Sequence, residues 1–169
     1  PNFSPSAQEI TYVSFLEGQA TTYLYDLETG RQEALFASGG RGAASQIDPD
    51  GQSLSARSPP AGSQLAVSVE TRNGHDIHMF DLRTRELTRL TQHPADDVEP
   101  SFSPDGERIV FSSSRGGGSQ LYTMNSDGTD VQRITFGEGR YTTPVWSPRG
   151  DLIAFTKQSN GRFLLGVVR

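Results

Sequence analysis

Two short polar segments carry residue types that suit the recognition of a partner. Segment 95–100 places the carboxylates of Asp96, Asp97 and Glu99 within four positions, beside the apolar Val98. Segment 140–144 starts with Arg and Tyr, which are enriched at protein–protein hot spots. With a third segment at 41–44, the candidate partner-binding residues are Arg41, Ala44, Asp96, Asp97, Val98, Glu99, Arg140, Tyr141, Thr142 and Thr143. The segments form either a mixed polar and aromatic docking surface or a solvated rim whose Asp and Thr side chains cap tight turns.

The motifs that could hold a metal or a cofactor are weak. His75 and His78 lie in a strand-like segment, where residues three apart point to opposite faces, so a shared metal ion is not expected. Segment 125–130, NSDGTD, has Phe136 where a calcium-binding EF-hand needs its bidentate Glu. Segment 115–120, RGGGSQ, lacks the Lys and the following Ser or Thr of a phosphate-binding loop. We therefore predict no metal and no cofactor.

Nucleophilic catalysis is not indicated either. The chain has no G-x-S-x-G nucleophile elbow, and the serines at 112–114 have no nearby His in the sequence to activate them. Trp146 is expected to pack between repeats rather than to stack on a ligand. The motifs therefore predict that the chain is not an enzyme.

The composition limits the classes of fold and partner. The 169 residues carry a net charge of −5, which argues against the basic face of a nucleic-acid binder. No apolar run is long enough to span a bilayer, and without Cys there are neither disulfides nor zinc thiolate sites. Hydrophobic residues make up only 33% of the chain, and its 18 Gly and 10 Pro favour many short strands over helices. One all-β domain is expected.

Turn residues divide segment 99–135 into four short, β-prone pieces. The dividing clusters are PDG at 104–106, GGG at 116–118 and DGT at 127–129, and Gly allows the positive φ that tight turns require. The pieces SF, RIVFSSS, QLYTMN and VQRIT predict an antiparallel four-stranded meander. The continuous apolar run IVF at 109–111 predicts a sheet covered on both faces.

The meander repeats along the chain. Pro5 and Pro49 are 44 residues apart, and so are Pro104 and Pro148. Four-stranded units with a period of about 40–45 residues are typical of β-propeller blades. The spacing from Pro49 to Pro104 is 55, which we interpret as an enlarged, mobile surface loop at 48–63. We predict a propeller segment of four blades, at about 1–36, 37–91, 92–136 and 137–169, the last without its outer strand.

The predicted blades bring the candidate residues together. Segments 41–44, 95–100 and 140–144 each lead into the innermost strand of a blade. In a propeller such loops cluster on one face, around the mouth of the central channel. The three segments are therefore expected to share one surface.

The repeat resembles the blades of the TolB family. The resemblance covers the whole chain except the enlarged loop and is closest in ELTRLT, SFSPDGERIVFSSSRGG, LYTMNSDGT and residues 133–163. Residues 136–163 resemble the alphaproteobacterial members in particular. The blade motif alone is shared with the propellers of prolyl oligopeptidase-like enzymes.

The resemblance implies a six-bladed propeller with an N-terminal α/β domain, located in the periplasm and serving the Tol–Pal cell-envelope system without catalysis. It implies that the lipoprotein Pal docks where loops enter the innermost strands. The family binds TolA through an N-terminal segment that these residues do not match, so TolA binding is not carried over. Contacts with other Tol system proteins are expected through the N-terminal domain that the resemblance implies. Two alternatives stay open: a propeller separated from a prolyl oligopeptidase-like serine hydrolase, and a sugar- or cation-binding propeller enzyme with carboxylates or His in its channel.

Overall fold

Short β-strands make up the regular structure of the chain. The computed structural model describes residues 2–3, 8–14, 20–38, 45–47 and 64–169, and in these residues fifteen strands form four antiparallel sheets. No helix in this part of the chain has the length and apolarity that a membrane crossing requires. The predicted all-β class is confirmed. Arg41, Ala44 and the predicted loop at 48–63 lie outside the described residues.

Each sheet is a meander in which consecutive strands pair in chain order. The first sheet contains β1 (Asn2–Phe3), β2 (Glu9–Ser14), β3 (Ala20–Asp26) and β4 (Gln32–Ser38). The second contains β5 (Ser45–Ile47), β6 (Gln64–Thr71), β7 (Gly74–Asp81) and β8 (Leu87–Arg89). The third contains β9 (Asp97–Phe102), β10 (Arg108–Ser113), β11 (Gln120–Asn125) and β12 (Gln132–Arg133). The fourth contains β13 (Arg140–Trp146), β14 (Ile153–Ser159) and β15 (Arg162–Val168).

Turn chemistry explains where the strands of the third sheet end. Gly106, Gly117 and Gly128 have φ of 71°, 87° and 88°, as their turn positions require. Between β11 and β12 the carboxylate of Asp127 accepts hydrogen bonds from the N–H and the hydroxyl of Thr129, at 2.9 and 2.6 Å. The polar residues at 125–130 therefore serve a hairpin turn, as the sequence predicts.

The sheets pack face to face. Ile109, Val110 and Phe111 on β10 are fully buried. Ile109 and Phe111 belong to a core shared with β6 and β7 of the second sheet, whereas Val110 packs with residues of β13 and β14 in the fourth. The prediction that this apolar run is covered on both faces is confirmed. The first strands of successive sheets also contact one another, β1 with β5, β5 with β9 and β9 with β13.

The face of the fourth sheet opposite this core is apolar and exposed. Val145, Phe163, Leu165 and Val167 are each more than half exposed, with Leu165 at 82%. Val145 and Val167 flank Ala154 across the strand pairs of this sheet, which places them on one face. This face has the apolar character of the surfaces that the second and third sheets bury against each other.

In the second and third sheets, a threonine at the equivalent repeat position, just after the outer strand, forms a hydrogen bond to the third strand. Thr91 Oγ1 accepts a hydrogen bond from the Ile77 N–H at 2.9 Å, and Thr135 Oγ1 accepts one from the Leu121 N–H at 2.9 Å. Both threonines are nearly fully buried. Each hydroxyl satisfies a backbone donor of the third strand at the point where the short outer strand has ended.

Candidate functional site

The predicted site residues lie at the start of two adjacent innermost strands. Asp96 immediately precedes β9, which includes Asp97, Val98 and Glu99, while Arg140 to Thr143 open β13. The sequence interpretation placed these residues in loops, and for Asp97–Glu99 and Arg140–Thr142 that interpretation is wrong. Pro100 and Pro144 lie inside these strands although proline lacks a ladder donor. Pairing with β10 and β14 begins before each proline and resumes beyond it across an irregularity.

Glu99 and Thr143 form the irregularity in their strands. They have φ of 57° and 51°, in the left-handed region that non-glycine residues rarely adopt. Glu99 Oε2 accepts hydrogen bonds from the Thr143 N–H at 2.6 Å and from the Ser112 hydroxyl at 3.0 Å. The bulge of the third sheet is therefore joined directly to that of the fourth. Bulges of this kind re-aim side chains and are common near binding sites.

Asp97 is a buried structural residue. Its side chain is fully buried and pairs with the Arg115 guanidinium at 2.7 Å. Arg115 lies over the rings of Phe111 and Tyr122, 5.5 and 5.0 Å from their centroids. The ion pair and the ring contacts hold Asp97 inside the third sheet, away from the surface that its neighbours form.

Tyr141 is also buried. It is 7% exposed, and its ring lies 5.3 Å from that of Phe155, in the core between the third and fourth sheets. Thr142 is half-buried beside it. Phe136, by contrast, is 76% exposed in the connection that leads to β13, with the Arg133 guanidinium 5.0 Å from its ring centroid. The sequence interpretation assigned the exposed aromatic role to Tyr141 and did not single out Phe136.

Asp96 joins the second sheet to the third. Its Oδ1 accepts hydrogen bonds from the His75 N–H at 3.0 Å and pairs with His75 Nδ1 at 2.9 Å. The side-chain hydrogen bond from His75 holds the pKa of Asp96 below its usual value. The Asp96 N–H donates to Ser114 Oγ at 3.1 Å. Sequence reasoning considered His75 only as a metal ligand and missed this pairing, which joins residues 21 positions apart.

The histidines are not arranged for metal binding. His78 is nearly fully buried, and this burial lowers its pKa. In the part of the chain that the structure describes, no group of three or more His, Cys, Asp or Glu side chains is placed to hold a metal ion.

A cleft of about 230 Å³ opens between these strands. Its lining includes Asp96, Val98 and Arg140 from the predicted set, together with His75 and the serines at 112–114 and 119. The structure therefore brings Asp96, Val98 and Arg140 to one cleft and links Glu99 to Thr143 beside it. Asp97 and Tyr141 support this surface from within.

The four successive meanders, their order and the contacts between their first strands define the chain as a segment of a β-propeller. The cleft lies where two innermost strands begin. The sequence profile described as "TolB beta propeller domain" matches residues 1–169, and the chain belongs to that family.

Relatives and solved structures agree with this assignment. The chain is 31% identical over 131 residues to the Tol-Pal system protein TolB of Bordetella pertussis, a match that covers 78% of this chain and 28% of the relative. The crystal structure of TolB from Acinetobacter baumannii superimposes with a TM-score of 0.82 at 27% identity, covering 99% of this chain and 39% of that one. A putative TolB from Agrobacterium tumefaciens gives 0.81 at 25% identity, covering 98% and 58%. The chain spans less than a third of the length of the curated relatives it matches.

Proposed function

We propose that this propeller segment is a non-enzymatic docking module of the Tol–Pal system in the periplasm, and that it binds a Pal-like lipoprotein at the surface around β9 and β13. The Bordetella relative is named as a Tol-Pal system protein, which supports the choice of system. The observation that carries the choice of surface is the hydrogen bond from the Thr143 N–H to Glu99. It fixes two adjacent strand openings, and with them Asp96, Val98 and Arg140, in one arrangement.

The geometry suits docking because the surface is ordered before a partner arrives. Glu99, Asp96 and Ser114 are held by hydrogen bonds that cross between strands or sheets. A partner that binds such a surface loses little conformational entropy in ordering it. The exposed charges of Asp96 and Arg140 add orientation and speed to the encounter.

The hydrolase alternative has no specific observation in its favour, since the family profile and the relatives reported above are those of TolB. The cation-binding alternative gains none from the described residues, which hold no suitable cluster of ligands.

Calorimetric titration of the full 169-residue chain with the soluble domain of a Pal-like lipoprotein tests the proposal. The wild-type chain should bind saturably, and D96K should weaken binding by about tenfold or more because it removes the acceptor that holds His75 beside the cleft and places a longer side chain at its edge. E107K is the matched control, since Glu107 is exposed in the β9–β10 turn, beyond the other end of β9. Absence of wild-type binding, or equal effects of D96K and E107K, would refute docking at this surface.

A further inference from the structure

We infer that the cleft between β9, β10 and β13 is a subsite for a carboxylate group of the docking partner, an inference that rests on the proposed docking function. The cleft has a volume of about 230 Å³. Since a water molecule occupies about 30 Å³ of liquid volume, the cleft has room for an acidic side chain. Its lining determines which chemical class of group fits.

Arg140 is a guanidinium without a carboxylate partner. In the second and third sheets Arg89 pairs with Asp76 and Arg115 pairs with Asp97. Arg140 is exposed at the cleft and forms no ion pair with any described residue. A guanidinium presents its N–H groups in a planar fork that matches the two oxygens of a carboxylate. The structure therefore leaves a carboxylate-binding fork at the edge of the cleft.

Two serine hydroxyls in the cleft are already acceptors. Ser113 Oγ accepts from Arg115 Nε at 2.9 Å, and Ser114 Oγ accepts from the Asp96 N–H at 3.1 Å. A hydroxyl combines one donor with two acceptor sites. Among the described residues neither hydroxyl donates a hydrogen bond, so each keeps a proton for a ligand oxygen.

Asp96 at the cleft and Glu99 beside it are each engaged with donors of the chain through one carboxylate oxygen. Asp96 Oδ1 binds the backbone N–H and the ring Nδ1 of His75, and Glu99 Oε2 accepts from Ser112 and Thr143. Arg140 and the hydroxyls of Ser113 and Ser114 are the donors that remain for a ligand. A carboxylate carries only acceptors when ionised and complements this set.

A titration with sodium acetate as the probe tests the subsite directly. The full chain is labelled with ¹⁵N and titrated at constant ionic strength, with acetamide as the neutral isostere. Acetate should produce saturable shifts of the Ser113 and Ser114 amide signals and of Arg140 Nε–H, and acetamide should not. R140Q should remove the amide shifts, whereas R149Q should keep them, because Arg149 is exposed in the turn beyond the other end of β13. Equal shifts with acetamide, shifts that do not saturate, or shifts that survive R140Q would overturn the inference.

Calorimetry with the soluble domain of a Pal-like lipoprotein separates the subsite from the docking function. R140Q should weaken binding by about tenfold or more, and R140K, which keeps the charge without the fork, should weaken it less. If the domain binds wild type and R140Q equally, the subsite inference is wrong and docking stands. If acetate binds saturably but the domain does not bind wild type, docking is wrong and the carboxylate site stands.

Discussion

Glu99 accepts a hydrogen bond from the backbone N–H of Thr143, the residue at the same position one repeat later, with 2.6 Å between Oε2 and the nitrogen. Both residues have positive φ and each precedes a proline. The bulge leaves the Thr143 N–H without a partner in the strand ladder, and the side chain of Glu99, from the preceding repeat, supplies the acceptor. One bond therefore joins the innermost strands of the third and fourth sheets.

Removing this acceptor should loosen the junction between the two sheets. E99A should lower the free energy of unfolding by about 1–2 kcal/mol, because a charged acceptor is lost and a backbone N–H is left without it. E99Q keeps an acceptor oxygen and should lose less than half as much. Urea unfolding followed by the fluorescence of Trp146, the single tryptophan, measures both. Equal losses in E99Q and E99A would contradict the role given to the bond.

Breaking the Asp97–Arg115 pair should be more damaging. R115M leaves the buried Asp97 carboxylate without a counter-charge and should destabilise the chain by about 3–5 kcal/mol. The double variant D97N/R115M should recover at least half of that loss, since it removes the uncompensated charge. Urea unfolding of wild type and the two variants decides the matter: if R115M is as stable as wild type, Asp97 does not depend on this partner.

Two turn glycines should respond differently to the same substitution. Gly117 has φ of 87° with open space where a Cβ would lie, so G117A should cost about 1–2 kcal/mol of left-handed strain alone. Gly128 has φ of 88°, and its Cβ would approach Leu90 O, in the segment after β8 of the second sheet, to 2.7 Å. G128A should therefore cost about 1–3 kcal/mol more. Thermal unfolding of the pair measures the difference, and equal losses would show that the approach to Leu90 relaxes freely.

Stability should fall in acid. Hydrogen bonds lower the pKa of Asp26, Asp81, Asp96, Asp105 and Asp127 in the folded chain. A carboxyl whose folded pKa lies below its unfolded value stabilises the fold above the unfolded value, near 3.8, and loses this contribution as pH falls through the folded pKa. The urea midpoint should therefore show little change from these groups between pH 7 and 5 and decrease below about pH 4.

D105N isolates one of these carboxylates. Asp105 accepts hydrogen bonds from the Ser103 hydroxyl and the Glu107 N–H, the first of which is the largest cause of its lowered pKa. The variant should lose stability at pH 7 and show a shallower acid decline than wild type. A decline as steep as that of wild type would assign the acid response to other groups.

Most of the fold follows from local sequence signals. The turn clusters at 104–106 and 127–129 carry the glycines with positive φ, and the apolar run at 109–111 is covered on both faces as predicted. Each of these features depends on residues a few positions apart, which a single sequence displays. The 44-residue spacing of prolines allowed the four-stranded meander predicted for one repeat to be predicted for the others as well.

The interior of the candidate site could not be read in this way. Asp97 and Tyr141 occupy equivalent repeat positions, 44 residues apart. One side chain is charged and the other aromatic, so the residue types do not indicate that this position is buried in both repeats. Asp97 is buried because Arg115 approaches from the following hairpin, and His75 reaches Asp96 from the preceding sheet. Arg115 is 18 residues from Asp97, and His75 is 21 residues from Asp96. At such separations the sequence does not show which side chains meet; only the folded structure does.

The threonines at 91 and 135 each add a separate hydrogen bond at the outer edge of the second and the third sheet. The outer strands β8 and β12 contain three and two residues, and beside each a buried hydroxyl binds the neighbouring strand. Since each hydroxyl bonds a strand of its own sheet, losing one of these bonds should leave the strand pairing of the other sheet intact. Amide exchange at Ile77 and Leu121 should therefore be governed separately, so that fraying at the outer edge of one sheet need not spread to the next.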